Sequence, residues 1–166
     1  MARITDHIRA SVFQQADEPA FLNKLNDWRS SGKKLVFTNG CFDIVHLGHV
    51  DYLSKAAELG DVLVVGLNTD VSVRRIKGPG RPITDESARA FILASFGFVD
   101  AVVMFEEDTP YSLIRTIQPD VLVKGSDYKT EDMIGHDIVS AKNGKVVAIE
   151  LLEGYSTSNI IKKIRN

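Results

Sequence analysis

His46 and His49 are the residues of this chain best placed to do chemistry. They stand in the run Thr38-Asn39-Gly40-Cys41-Phe42-Asp43-Ile44-Val45-His46-Leu47-Gly48-His49, which leads from an apolar strand pattern into a helical one. Imidazoles at a helix start can donate hydrogen bonds to a phosphoryl group whose charge grows in a transition state. The free N–H groups and positive dipole end of the helix favour an anion there, and Gly48 leaves room for one. Core histidines and metal ligands are the competing readings of the pair. A metal would need a third protein ligand, and no nearby Asp, Glu or Cys has the spacing, since Cys41 and Asp43 lie in the preceding turn. The glycine turn beside the helix start favours phosphate, and no protein-held metal is expected.

Three further clusters could serve the same chemistry. Ser156-Thr157-Ser158-Asn159 follows Glu153-Gly154. One hydroxyl suffices to cap a helix, so the others could hold the outer phosphates of a nucleotide. Arg74, Arg75, Lys77 and Arg81 lie in or beside the stretch Lys77-Gly78-Pro79-Gly80-Arg81-Pro82, which must be a loop. The plain reading is a set of solvated cations; the functional one is a mobile lid closing over a polyphosphate, with Lys77 the foremost residue. Arg89 reads as either a surface charge or a phosphate clamp. Lys124 ends an apolar strand, where an unpaired charge would be costly, and is followed by Gly125, Asp127 and Tyr128, which could approach a sugar or base.

The elements that must position these groups alternate between strand and helix. Strands are expected at 34–38, 62–67, 101–105, 121–124 and 145–151. Helices are expected at 18–31, 48–59, 71–76, from a Thr84 cap to 96, from a Thr109 cap to 117, at 135–142, and from 156–158 to 164. Strands nearly continuous in Val, Ile and Leu imply burial on both faces. The expected fold is therefore α/β: a Rossmann-like, doubly wound parallel sheet of about five strands. Its ligand would bind beyond the carboxyl ends of the strands, where the polar clusters fall. Residues 18–166 read as one domain, and residues 1–17 as a segment that pairing with another subunit could order.

Composition narrows the class. With 166 residues, 44% of them apolar, the chain can bury a full core. A net charge of −2 gives no field for wrapping nucleic acid, and one cysteine excludes a disulfide framework. No apolar run reaches membrane-spanning length and no signal-peptide pattern opens the chain, so a cytoplasmic protein without membrane or nucleic-acid partners is expected.

The run from Thr38 to His49 resembles the signature of the cytidylyltransferase-like, HIGH-type nucleotidyltransferases. The lid stretch, Asp108-Thr109-Pro110, Pro119-Asp120-Val121-Leu122-Val123-Lys124-Gly125 with Asp127-Tyr128, and Glu153-Gly154-Tyr155-Ser156-Thr157 resemble the adenylyltransferase branch of bacterial ADP-heptose synthesis. That resemblance implies attack of D-glycero-β-D-manno-heptose 1-phosphate on ATP, with Mg²⁺, giving ADP-heptose for lipopolysaccharide core or related glycans. It implies that His46, His49 and Lys77 are catalytic. Thr38, Asn39, Gly40, Cys41, Phe42, Asp43, Gly48, Ser156, Thr157 and Ser158 would bind the nucleotide. Arg74, Arg81, Arg89, Lys124, Gly125, Asp127 and Tyr128 would bind the substrate. It further implies a homodimer and a sugar kinase, carried by another protein, acting upstream. The glycerol-phosphate cytidylyltransferase branch has Arg-Thr where this chain has Leu151-Leu152, which argues against CTP. The alternatives are nucleotidyl transfer to another phosphorylated sugar or alcohol, and a nucleotide-binding module without turnover.

Overall fold

A computed structural model of the protein describes residues 3–16, 18–126 and 129–165. In chain order the elements are α1 (Ile4–Arg9), β1 (Val12–Phe13), α2 (Pro19–Ser30), β2 (Leu35–Gly40), α3 (Leu47–Ala57), β3 (Val62–Asn68), α4 (Asp70–Lys77) and α5 (Glu86–Ala94). They continue with β4 (Ala101–Phe105), α6 (Tyr111–Ile117), β5 (Val121–Gly125), a 3₁₀ turn (Thr130–Asp132), α7 (His136–Ala141), β6 (Lys145–Ile149) and α8 (Thr157–Arg165). All described strand pairs are parallel, in the order β1-β4-β3-β2-β5-β6.

The sheet thus has six strands among the described residues, one more than expected. The extra strand is β1, whose Val12 and Phe13 pair with Val102 and Val103. Two residues are too few to show a period, so no pattern announces it. Two caps also differ from expectation. Asp85, not Thr84, caps α5 by accepting from the Ala88 amide at 2.9 Å. Pro110 takes the cap position of α6, which has no side-chain cap bond.

Alternation along the strands builds two cores, one on each face of the sheet. Val36, Leu63, Val65, Leu67, Val102, Met104, Val121 and Val123 pack with Leu53 and Ala56 of α3 and Ala90 and Leu93 of α5. The intervening residues, Leu35, Phe37, Val62, Val64, Ala101, Val103 and Leu122, pack with Phe21 and Leu25 of α2, Leu113, Ile114 and Ile117 of α6, and Val139 of α7. Every residue of β3 and β4 is buried, as apolar runs without alternation require. Each buried Val, Leu, Met or Phe side chain in them contributes about 1.5–3 kcal/mol of burial.

β2 lies centrally, with β3 then β4 on one side and β5 then β6 on the other. The chain therefore reverses its direction of travel across the sheet beside β2, and a crevice opens at the carboxyl ends there. The turn between β2 and α3 stands at that crevice.

Candidate active site

The β2–α3 turn is shaped by small residues next to rings. Phe42 has a left-handed backbone (φ 45°), which costs a non-glycine residue about 1–2 kcal/mol. Its ring folds back over Gly40, where a Cβ would stand only 3.0 Å from Phe42 Cε2. The other edge of the turn is His46, extended (φ −141°) at the N-cap of α3 and making no side-chain cap bond. A Cβ on Gly48 would sit 3.1 Å from His46 Nδ1 and 3.0 Å from Tyr155 Cβ, so only glycine lets the ring and the α8 side close in.

His46 and His49 stack, with ring centroids 3.9 Å apart and planes at 18°. Phe42 meets His49 edge-on at 5.2 Å. Both Nδ1 atoms are buried and have no hydrogen-bond partner among the described residues. Burial lowers the His46 pKa; burial, then the neighbouring His46, lowers that of His49 to about 4. At neutral pH the pair is uncharged. A buried polar atom left unpaired costs about 1–3 kcal/mol, and the turn carries that cost at both rings. Core histidines would have partners, which separates this pair from that reading.

These rings form part of the wall of a cleft of about 490 Å³, within the range of small-molecule sites. The structure brings into it Asn39, Gly40, Cys41, Phe42, Asp43, His46, Gly48, His49, Lys77, Arg81, Lys124, Gly125, Ser156, Thr157 and Ser158. Because the sheet runs β3-β2-β5-β6, the cations of the loop after α4 stand on one side of the histidine turn. Lys124 and the segment after β6 stand on the other. Ser156 Oγ accepts from the Asn159 amide at 3.1 Å and so serves as a cap, while Ser158 is exposed to the cleft. Lys77 borders both this cleft and a second cavity between the 78–81 loop and α8. Cys41 is half-buried at the cleft wall; burial pushes its thiol pKa up against the nearby Lys77, Arg89 and Arg81 charges.

Several expected contacts fall elsewhere. Thr38 is fully buried beneath the cleft, bonded to the Tyr52 hydroxyl at 2.7 Å, and cannot touch a nucleotide directly. Arg74 is exposed beside Val71, Arg75 and Pro79, away from the cleft, because α4 turns it outward. Arg75 is tied to Asp108 at 3.0 Å and to the Glu106 carbonyl. Arg89 is neither a surface charge nor open to a substrate phosphate: it is 0% exposed. Its Nε donates to Thr84 O (3.0 Å), Nη1 to Cys41 O (2.6 Å) and Asn68 O (2.9 Å), and Nη2 to Asp70 (2.7 Å). Lys124 is bonded to the Asn39 side chain and carbonyl, so its place at the strand end has a structural explanation as well. Asp127 and Tyr128 lie outside the described residues.

Sequence reasoning missed Tyr52, Ile76, Leu151, Leu152 and Tyr155, which also line the cleft. Tyr52 stands one helical turn past His49 on the same face of α3, a spacing that could have revealed it. Leu151, 47% exposed, is a large apolar side chain left open after the last strand, which is itself a signal.

A parallel α/β sheet with a glycine turn, paired histidines and hydroxyls at one crevice defines a nucleotide-binding transferase of the HIGH type. The chain belongs to the cytidylyltransferase-like family, whose model matches residues 37–163. It is 58% identical over 135 residues to bifunctional protein HldE of Citrifermentans bemidjiense, covering 81% of this chain and 28% of that protein. It is 51% identical over 159 residues to bifunctional protein HldE of Geobacter metallireducens, covering 92% and 32%. The chain thus spans under a third of the length of these relatives. The crystal structure of the lipopolysaccharide core biosynthesis protein from Thermoplasma volcanium superposes with a TM-score of 0.63 at 30% identity, over 74% of this chain and all of that one. A pantoate-beta-alanine ligase from Francisella tularensis shares the fold at 15% identity and a TM-score of 0.54, over 93% of this chain and 76% of that one. No helix among the described residues is long and apolar enough to cross a membrane.

Proposed function

We propose that this domain transfers the adenylyl group of ATP to D-glycero-β-D-manno-heptose 1-phosphate, giving ADP-heptose and pyrophosphate. The observation that carries the reading is the stacked, uncharged His46–His49 pair, buried at Nδ1 without partners and facing a nucleotide-sized cleft. Identity of 51–58% to HldE proteins over 81–92% of this chain supports the heptose branch. The Leu151 and Leu152 side chains on the cleft wall offer apolar contact only, which suits packing of a purine rather than hydrogen-bonded reading of cytosine.

The reaction needs no covalent enzyme intermediate and no general base, because the sugar phosphate is already an anion at neutral pH. One of its oxygens bonds to the α-phosphorus as the bridging bond to the β-phosphate breaks, and the electron pair leaves on pyrophosphate. The protein aligns the two in line and neutralises growing charge. His46 and His49 donate to the α-phosphoryl oxygens, Lys77 and Arg81 stand over the phosphates, and Ser158 and the start of α8 receive the outer ones.

Among the described residues no group of three or more His, Cys, Asp or Glu could hold a metal. The one described carboxylate on the cleft wall, Asp43, is taken up by Arg81 and two backbone amides. Magnesium would come in with ATP as MgATP and would supply charge neutralisation at the triphosphate, beside Lys77 and Arg81. A sugar kinase on another protein acts upstream to supply the substrate's phosphate, and the active form is a homodimer.

The test is incubation with heptose 1-phosphate and each nucleoside triphosphate separately, with the product identified by mass. ADP-heptose from ATP, with little product from CTP, is the expected result. A different nucleoside diphosphate sugar, or no product from any pair, overturns it.

A further inference from the structure

Asp43 lies in the histidine turn yet turns its carboxylate away from the cleft's centre, into the end of the lid loop. The side chain is 1% exposed. Oδ1 accepts from the Ile83 amide at 2.7 Å, the Thr84 amide at 2.9 Å and the Thr84 hydroxyl at 3.2 Å. Oδ2 accepts from Arg81 Nε at 2.5 Å. Burial alone would raise the carboxyl pKa, but the Thr84 amide, Arg81 and the Ile83 amide outweigh it and hold the pKa below its ordinary value. The group is an anion held by four hydrogen bonds within the protein.

Arg81 is the consequential partner. Its side chain is 19% exposed and borders both the main cleft and the cavity of about 510 Å³ between the loop and α8. Nε is committed to Asp43, and no acceptor among the described residues meets Nη1 or Nη2. A guanidinium carries five N–H donors in a rigid plane, so fixing one edge fixes where the other donors point. The loop's backbone is held by Gly78 N to Arg74 O at 2.9 Å and Arg81 N to Gly78 O at 3.1 Å, and among the described residues Asp43 is the partner that grips the guanidinium itself.

We propose that Asp43 is a positioning residue: by gripping Arg81 at Nε and the backbone at Ile83 and Thr84, it aims the free edge of Arg81 at the phosphates of the bound nucleotide. One carboxylate thereby ties the histidine turn to the lid, so both sides of the phosphate site keep a fixed spacing. Asp43 itself touches no substrate. The proposal rests on the reading of the cleft as an MgATP site.

Asp43→Asn separates the two grips. The amide oxygen can still accept from Ile83 and Thr84, while an amide NH₂ opposite Arg81 Nε sets donor against donor. MgATP affinity is measured by calorimetry for wild type, D43N, R81A and the double variant, with melting temperature as a control. D43N should weaken MgATP about tenfold and R81A by at least as much, the scale of one lost charge-assisted hydrogen bond. The double variant should match R81A within about twofold, because Asp43 acts only through Arg81. Rescue belongs to the same experiment: D43E, which restores the anion one methylene longer, should recover part of the loss. Multiplied losses in the double variant, or a D43N protein that binds MgATP as wild type does, overturn the positioning role. Wild-type binding of MgATP without ADP-heptose formation overturns the proposed reaction and leaves the positioning role standing. Absence of MgATP binding by the wild type overturns both.

Discussion

The histidine turn and the Arg89 knot behind it treat buried nitrogen in opposite ways. In the knot, a guanidinium that is 0% exposed gives four donor contacts to Thr84, Cys41, Asn68 and Asp70. In the turn, two imidazoles a few residues along the chain from Cys41 hold buried Nδ1 atoms without a hydrogen-bond partner among the described residues. Saturated groups fix a shape; unsaturated ones wait for a ligand. Arg89 joins the end of β2, the end of β3, the start of α4 and Thr84 just before α5, and so builds the frame around the histidine turn.

The first way to break that contrast is to empty the knot. Arg89→Ala leaves a half-buried Asp70 and three carbonyls without their donor, and should cost about 3–5 kcal/mol of stability, read as a lower urea midpoint or loss of soluble protein. Arg89→Lys should recover only part of it, since a single ammonium cannot span four acceptors. The opposite signature is expected in the turn. His46→Ala or His49→Ala should lower turnover by about two to three orders of magnitude, as loss of a transition-state donor does, while the melting temperature holds or rises. Near-wild-type turnover in both would remove the histidines from the chemistry.

This contrast was only half legible in the sequence. The turn shows because a glycine-containing stretch between an apolar strand pattern and a helical one carries two histidines three apart, with Gly48 between them. The alternation of apolar runs and helical periods likewise marked the strands β2 to β6. The knot did not show, because an arginine near the start of a helix reads as solvated. Its signal was register: Arg89 shares one face of α5 with the buried Ala90, Leu93 and Ala94, where a charge must be paired. Thr38 was misplaced for a related reason. Strand alternation sends it under the cleft to Tyr52, and a motif read as a line of letters carries no inside and outside.

Smaller perturbations sharpen the same comparison. Gly48→Ala places a Cβ 3.0–3.2 Å from Tyr155 and the His46 ring, so it should displace the stack and weaken nucleotide binding by about tenfold with little change in stability. Titration gives the subtlest effect. His49 is lowered to about 4 in the folded protein, against an ordinary histidine value in the unfolded chain. The unfolded chain therefore binds the extra proton between those values, and stability must fall as pH drops from about 6.5 toward 4. In urea unfolding at pH 7 and pH 5, His49→Gln should flatten this slope; an unchanged slope would show that His49 is not held neutral.

The central claim is that the two unpaired imidazoles are the protein's receptors for a triphosphate. Nitrogen NMR of ¹⁵N-labelled histidine, followed through a pH titration with and without MgATP, tests it most directly. His49 should titrate near 4 in the free protein. On saturation with MgATP, both rings should shift resonance and raise their pKa, as phosphate oxygens replace the missing partners. Nucleotide that binds while both rings keep their resonances and their titration would contradict the account.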